Sequence, residues 1–395
     1  MNASDGPCIY IVAAEPSGDA LGGDLIDAIC RRTRDDVSFF GIGGEAMAAR
    51  GVASLFDTSE LSVLGLVEGI KAYGAVKKRV EEAAQHIAQV KPDALVLIDS
   101  WGFMWRVARR VRELGCQTPR IKLIGPQVWA TRPGRARTLA ENVDHLLCIH
   151  SFETPFYSPY GLPTTVVGNP ALARDEQGDG SRIRSKYGLS DDTRIIGLLP
   201  GSRQSEVSNV SPILESAAAI LCKQDDNRIV LCAPAASIRR QILEHSRHWT
   251  FRHVIAEPDD AKPDVLAAMD LALACSGTVS TEAALQGAPV VVGYRIGWAT
   301  WAVARLFLMK SRFITLLNVA ADREIAPEFV QTRFTPAKVA AASERLLSDE
   351  KQRQTQITAQ FDALNQMGRG QRPPAEISAD VILKMALEFK KAPPS

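Results

Sequence analysis

The chain has 395 residues, with 46 basic against 45 acidic side chains and a formal charge of +1. That balance gives no general attraction to nucleic acid, so any anionic partner must be met by local clusters. Apolar residues make up 46% and charged residues 23%, which excludes a disordered chain, and the length suits two domains of about 150–200 residues rather than one core.

Short apolar runs alternate with amphipathic stretches from the start. Strands are expected at Ile9–Ala13, Val37–Gly41, Ala94–Ile98, Lys122–Ile124, His145–Ile149 and Thr164–Val167. Helices are expected at Leu21–Arg31, Ala75–Val90, Met104–Leu114 and Arg135–Glu141. Strands this short and continuously apolar, separated by helices, point to a parallel sheet buried on both faces.

The turns after these strands carry the polar residues. Ala14-Glu-Pro-Ser-Gly-Asp19 follows the first strand, where Ser17 or Asp19 can cap the first helix and Gly18 leaves room for a ligand. Gly41-Ile-Gly-Gly44 lacks the G-x-G-x-x-G spacing and follows the second strand rather than the first, which weakens a dehydrogenase reading. Asp99 ends the third strand; partly desolvated, it suits a general base, or it caps the next helix or pairs with Arg106. Pro126-Gln-Val-Trp129 and Arg132-Pro-Gly-Arg135 combine an aromatic plate with two arginines. They fit an acceptor carrying a phosphate, or a solvated surface turn.

Asp175-Glu-Gln-Gly-Asp-Gly-Ser181 reads as a loop near a domain boundary. A second α/β series follows, with strands at Ile195–Leu199, Arg228–Cys232, His253–Ile255, Leu271–Ala274 and Val290–Val292. Its helices are expected at Val210–Cys222, Ser237–His245, Lys262–Ala268, Thr278–Gln286, Trp298–Leu308 and Ala337–Leu347. The stretch Lys351–Lys391 is helical in composition, interrupted at Arg372-Pro-Pro374. The expected division is 1–175 for a first doubly wound domain, 185–370 for a second, and 371–395 for a helical tail. In such sheets ligands bind beyond the carboxyl ends of the strands, here in an inter-domain cleft.

Two turns in the second series suit an anion. Leu198-Leu-Pro-Gly-Ser-Arg203 offers the backbone amides of Gly201 and Ser202 and the charge of Arg203; a plain turn with a solvated arginine is the alternative. Ala274-Cys-Ser-Gly-Thr-Val-Ser-Thr-Glu282 places Ser276, Gly277 and Thr278 at a helix start. Glu282, one turn on, can accept hydrogen bonds from ribose hydroxyls. An ordinary capped helix with an acidic first turn accounts for the same residues.

Leu61–Ile70, running into Lys71, Lys77, Lys78 and Arg79, and Trp298–Lys310 are apolar segments with basic edges. Either suits an anionic leaflet or a buried helix. No uninterrupted apolar run reaches the ~18 residues of a membrane span, and the first residues lack the pattern of a signal peptide. The seven scattered cysteines form no C-x-x-C and read as reduced thiols of a cytosolic protein. The histidines show no zinc spacing.

Six motifs in order carry a resemblance: Ala14-Glu-Pro-Ser-Gly-Asp19, Leu61-Ser-Val-Leu-Gly-Leu-Val-Glu68, Pro126-Gln-Val-Trp-Ala130, Leu199-Pro-Gly-Ser-Arg203, Ser276-Gly-Thr278 with Glu282, and Val291-Val-Gly-Tyr-Arg295. From about Ile9 to Glu328 the chain resembles the lipid-A-disaccharide synthase family. The resemblance implies the GT-B architecture, two Rossmann-like α/β domains with the nucleotide mainly in the second. It also implies an inverting transfer from UDP-2,3-diacylglucosamine to 2,3-diacylglucosamine 1-phosphate (lipid X), giving the β-1′,6-linked disaccharide 1-phosphate and UDP. By this resemblance Asp99 is the base for the acceptor 6-hydroxyl, and Arg203 with Ser202 meets the donor diphosphate. Ser276, Gly277, Thr278 and Glu282 hold the nucleotide, Asn318 lies near the donor, and Ser17, Gly18 and Asp19 belong to the glycine turn that closes the cleft. Gln127, Trp129 and Arg132 are the candidate acceptor contacts.

Three positions depart from the family pattern, one being Thr131, where many members have a second tryptophan. Gly102 stands where many members have a second aspartate, and Asn169 where many have histidine, so no role of those groups transfers. Loop amides and Arg203 would meet the charge of the departing UDP, so no metal or cofactor is expected. The expected setting is cytoplasmic, peripheral on the inner face of the inner membrane, with no nucleic-acid partner; monomer and homodimer stay open. Competing readings are another UDP-sugar transferase acting on a lipid carrier, a nucleotide-sugar epimerase of the same fold, and a non-catalytic lipid-binding paralogue.

Overall fold

The computed structural model describes residues 6–58, 69–173, 177–297 and 311–391. The basic-edged segments Leu61–Glu68 and Trp298–Lys310 lie outside the described residues. The chain divides into two compact units, one of Met1–Ala173 with Gly370–Ser395 and one of Arg174–Arg369.

The first unit is built on six parallel strands: β1 (Cys8–Ala13), β2 (Ser38–Ile42), β3 (Ala94–Ile98), β4 (Arg120–Leu123), β5 (His145–Cys148) and β6 (Thr164–Val166). Their order is β2-β1-β3-β4-β5-β6. The continuous apolar runs have a direct cause, since alternate residues of one strand serve two cores. Tyr10, Val12, Leu95 and Leu97 face Ala84, Ile87, Met104 and Val107 of helices Gly69–Val90 and Trp101–Glu113. Ile9, Ile11, Val96 and Ile98 face Leu25 and Ile29 of helix Pro16–Thr33 on the other side. Each such side chain removed from water contributes roughly 1.5–3 kcal/mol before entropy is counted.

Helix Pro374–Lys391 belongs to this unit and covers the same face as helix Pro16–Thr33. Its Ala379, Ile382, Leu383 and Ala386 follow the spacing of one helical stripe and enter the core. Ion pairs from Arg31 and Arg32 to Glu376, each 2.6 Å, edge the contact. A helix with such a stripe is not a free tail, because the stripe must be covered.

The second unit holds β7 (Arg194–Leu199), β8 (Arg228–Cys232), β9 (His253–Ile255), β10 (Leu271–Cys275), β11 (Val290–Tyr294) and β12 (Glu328–Val330). The six are parallel in the order β12-β11-β10-β7-β8-β9, the strand order of dinucleotide-binding sheets. Strand β12 was not expected. It is an edge strand of three residues beginning with Glu328, too short and too polar to register as an apolar run. Helix Gln204–Gln224 starts six residues before the predicted Val210, because Glu206 closes a capping box on Arg203.

In each sheet the chain reverses direction of build at one place, between β1 and β3 and between β7 and β10. Loops beyond these two pairs of strands part to opposite faces, and that is where ligand sites form. No helix among the described residues is long and apolar enough to cross a membrane.

If helix Pro374–Lys391 is part of the first core, Ile382→Ala destabilises the protein by about 2–4 kcal/mol, read as a lower urea midpoint. A midpoint equal to that of the parent would show that the helix contributes nothing.

Candidate functional site

A cavity of about 630 Å³ opens beyond β7 and β10 of the second unit. It is lined by the turn after β7 (Gly201, Ser202, Arg203), the turn after β10 (Ser276, Gly277, Thr278), and Glu282. Apolar walls come from Ala233, Pro234, Ala235, Ala256, Val265 and Leu266. The parallel sheet brings these segments together because β7, β8 and β10 are neighbours and all end at the same edge.

The turn after β7 is already half satisfied. Gly201 sits at φ 107°, a region open to glycine, and a side chain there would come within 2.7 Å of the Glu206 carboxylate. That carboxylate accepts hydrogen bonds from the amides of Ser202 at 3.0 Å and Arg203 at 3.2 Å. It also pairs with the Arg203 guanidinium at 2.7 Å. The amides that the turn's sequence offers to a phosphate are therefore taken up by the protein's own acid. The cause is the three-residue offset between Arg203 and Glu206, the spacing of a capping box. The guanidinium stays well exposed, with N–H groups to spare beyond the one that meets Glu206.

The turn after β10 is different. The amides of Gly277, Thr278 and Val279 have no hydrogen-bond partner among the described residues, and all three residues line the cavity. They open helix Thr278–Leu285, whose N-terminus adds a partial positive charge. The Ser276 hydroxyl is engaged elsewhere, donating to the Ile314 carbonyl at 3.2 Å. One oxygen of Glu282 pairs with Lys262 Nζ at 2.6 Å. Lys262 was missed in the sequence, where a lysine at a helix start carries no distinguishing mark.

Asn318 corrects an expectation. It is fully buried and outside the cavity lining. Its Nδ2 donates to the Ala326 carbonyl and to Glu328, and its Oδ1 accepts from the amides of Ile325 and Ala326, all at 2.8–3.0 Å. An asparagine side chain has four such positions, so nothing is left for a ligand. Asn318 is a strut.

In the first unit, Asp99 and Ser100 lie beyond β3, both half-buried and both with left-handed backbone angles, φ 49° and 32°. The Asp99 carboxylate accepts no hydrogen bond from a protein group among the described residues, and helix Trp101–Glu113 has no side-chain cap. Arg106, the other partner considered, donates to the Gly102 carbonyl and lies 4.8 Å from the Trp105 ring.

The segment after β1 also differs from expectation. Helix Pro16–Thr33 begins earlier than predicted, with proline in its first turn, so Ser17 and Gly18 are helical residues. Asp19 does not cap this helix; its carboxylate accepts from the amides of Gly44, Ala46 and Met47 at 2.7–3.1 Å and caps the next one. Gly18 is buried and faces Ala13 and Ile98, so its missing side chain serves helix-on-sheet packing, while Ser17 is exposed.

Beyond β4, Gln127 and Arg132 are exposed and Trp129 is half-buried, its ring 5.4 Å from Phe152. Phe152 stacks in turn on His150, whose burial holds it down to about 4. The Tyr157 hydroxyl anchors this loop by donating to the Pro126 carbonyl at 3.0 Å. Arg135 lies 5.2 Å from the Trp101 ring and feels the charge of Arg132. Asn169 accepts from the Ala171 amide at 3.0 Å, at the start of helix Pro170–Ala173.

A family model described as lipid-A-disaccharide synthetase matches residues 9–380. The lipid-A-disaccharide synthase of Rhodospirillum centenum is 36% identical over 95% of this chain and 94% of its own length. That of Paramagnetospirillum magneticum is 36% identical over 97% and 98%. Among solved structures, S. aureus MnaA with UDP shares the fold at a TM-score of 0.62 and 13% identity, covering 98% of this chain and 99% of that one. Acinetobacter baumannii MurG does so at a TM-score of 0.55 and 14% identity, over 96% and 99%. The chain has the GT-B α/β architecture and belongs to the lipid-A-disaccharide synthetase family.

Proposed function

We propose that this glycosyltransferase is a lipid-A-disaccharide synthase, joining UDP-2,3-diacylglucosamine to 2,3-diacylglucosamine 1-phosphate with inversion at the donor carbon and release of UDP. The observation that carries the reading is the cavity at the β7/β10 switch point, where unpartnered amides, an arginine and a carboxylate line one space with apolar walls.

Each part has a role in that chemistry. The uracil ring takes the apolar walls of Ala233–Ala235, Ala256 and Leu266. Glu282 accepts from the ribose hydroxyls, with Lys262 holding its other oxygen in place. The diphosphate takes the amides of Gly277, Thr278 and Val279 and the spare N–H groups of Arg203. These fixed donors stabilise the charge that grows on UDP as the glycosidic bond to it breaks. Ser202 supplies cavity wall, since its amide is held by Glu206.

In the first unit Asp99 takes the proton of the acceptor 6-hydroxyl while that oxygen bonds to the anomeric carbon. The absence of a protein partner leaves its carboxylate available for this. Gln127, Trp129 and Arg132 recognise the acceptor, with the phosphate directed to Arg132 and its neighbour Arg135. Ser17, at the start of the helix after β1, is a further contact on this side. The acyl chains of both substrates favour work at the inner leaflet, toward which the exposed Lys77 and Lys78 supply positive charge.

Incubating the purified chain with the two diacylglucosamine substrates and a chelator should give the disaccharide 1-phosphate and UDP, identified by mass spectrometry. Turnover only with UDP-GlcNAc and a polyprenyl acceptor would refute the assignment. Asp99→Asn should lower kcat by about 10²–10⁴-fold with UDP affinity kept. Arg203→Ala should lower kcat by roughly 100-fold, because it removes a donor to the leaving group. Asn318→Ala should instead cost about 3 kcal/mol of stability, seen in thermal melts, since it strands buried amide groups of Ile325 and Ala326.

A further inference from the structure

Lys122 is a lysine where the fold has no ordinary use for one. It lies within β4, in register with Leu97 of β3 and Leu146 of β5, and is 1% exposed. An ammonium group stripped of water this completely must have strong compensating partners. Lys122 Nζ donates to the carbonyl of Asp99 at 2.5 Å and to that of Leu123 at 3.1 Å. The Leu123 carbonyl also accepts the Asp99 amide at 2.9 Å, so one small network holds both sides of the Asp99 peptide.

What the network holds is strained. Asp99 and Ser100 are consecutive non-glycine residues with positive φ, a conformation that persists only where the surroundings impose it. The bend directs the chain from the end of β3 into helix Trp101–Glu113, and so sets where the Asp99 carboxylate stands. The charged groups acting on the ammonium are the carboxylates of Asp99 and Glu15, at the ends of β3 and β1. Burial pushes the ammonium down to about 7, against the opposing pull of those two acids.

We propose that Lys122 is the positioning residue for the base, pinning the Asp99–Ser100 bend through two carbonyls. The proposal rests on the reading of Asp99 as the base. Its consequence is a pH dependence that a merely structural lysine would not produce. As pH rises through neutrality, Lys122 loses its charge and its hold on the bend weakens, so the basic limb of the kcat profile belongs to Lys122.

The experiment measures kcat and KM from about pH 5 to about pH 9 for the parent, Lys122→Met, Lys122→Arg and Asp99→Asn. Lys122→Met should lower kcat by about 10- to 100-fold, the scale of a misplaced reacting group. Its donor KM should stay within about twofold, and the basic limb should vanish. Lys122→Arg keeps the charge and should carry the basic limb upward. Parent-like kcat and pH profile in Lys122→Met overturns the proposal, as does a loss of rate with the basic limb unmoved. Should neither variant give a cooperative melt, the parent profile decides, and the lack of a basic limb near neutrality overturns it. An active Asp99→Asn overturns the base reading itself, whereas an inactive one beside a parent-like Lys122→Met overturns only the role of Lys122.

Discussion

A parallel sheet covered by helices on both faces has almost nowhere to keep a polar group except at the ends of its strands. Every residue between those ends meets a helix above or below, and an uncompensated donor there is costly. This constraint organises both units. Apolar side chains fill β1, β3 and β10 and the part of β7 after Arg194, and the polar residues gather in the turns beyond them. Strand order then selects which turns matter, since only at the reversal between β1 and β3, and between β7 and β10, do neighbouring loops separate and leave space.

The second unit manages an electrostatic problem before any ligand arrives. Two helix starts and an arginine aimed into one cavity would repel one another without a counter-charge. Glu206 answers this for one start, and its carboxylate occupies the position that an anion would otherwise take. The start at Gly277–Val279 is left open. Positive potential is thus concentrated on one side of the cavity, with the Lys262–Glu282 pair on another.

Much of this was readable from the amino-acid order, and the reasons divide cleanly. Strands β1, β3, β7 and β10 and the turns after them declare themselves, because a short apolar run ending in glycine, serine or aspartate is the pattern of a buried strand leaving its sheet. Contacts between side chains distant in sequence leave no such trace. Asn318 has the look of a polar ligand contact, and only the positions of Ala326 and Glu328 reveal a strut. Asp19 stands at the start of one helix yet caps another, since β1 and β2 are adjacent in space. Glu206 was legible in principle from its offset to Arg203. Lys122 was legible as an anomaly, a single charge inside Ile121-Lys-Leu-Ile124, but not as a partner of the Asp99 carbonyl.

Helix Pro374–Lys391 follows the second unit in the chain and yet seals the core of the first. During synthesis, then, the sheet β7–β12 emerges whole while the face of the earlier sheet shared by helices Pro16–Thr33 and Pro374–Lys391 is still only partly covered. Part of that flank of the nascent first unit stays greasy and bare until helix Pro374–Lys391 has left the ribosome. The later half of the molecule can mature ahead of the earlier one.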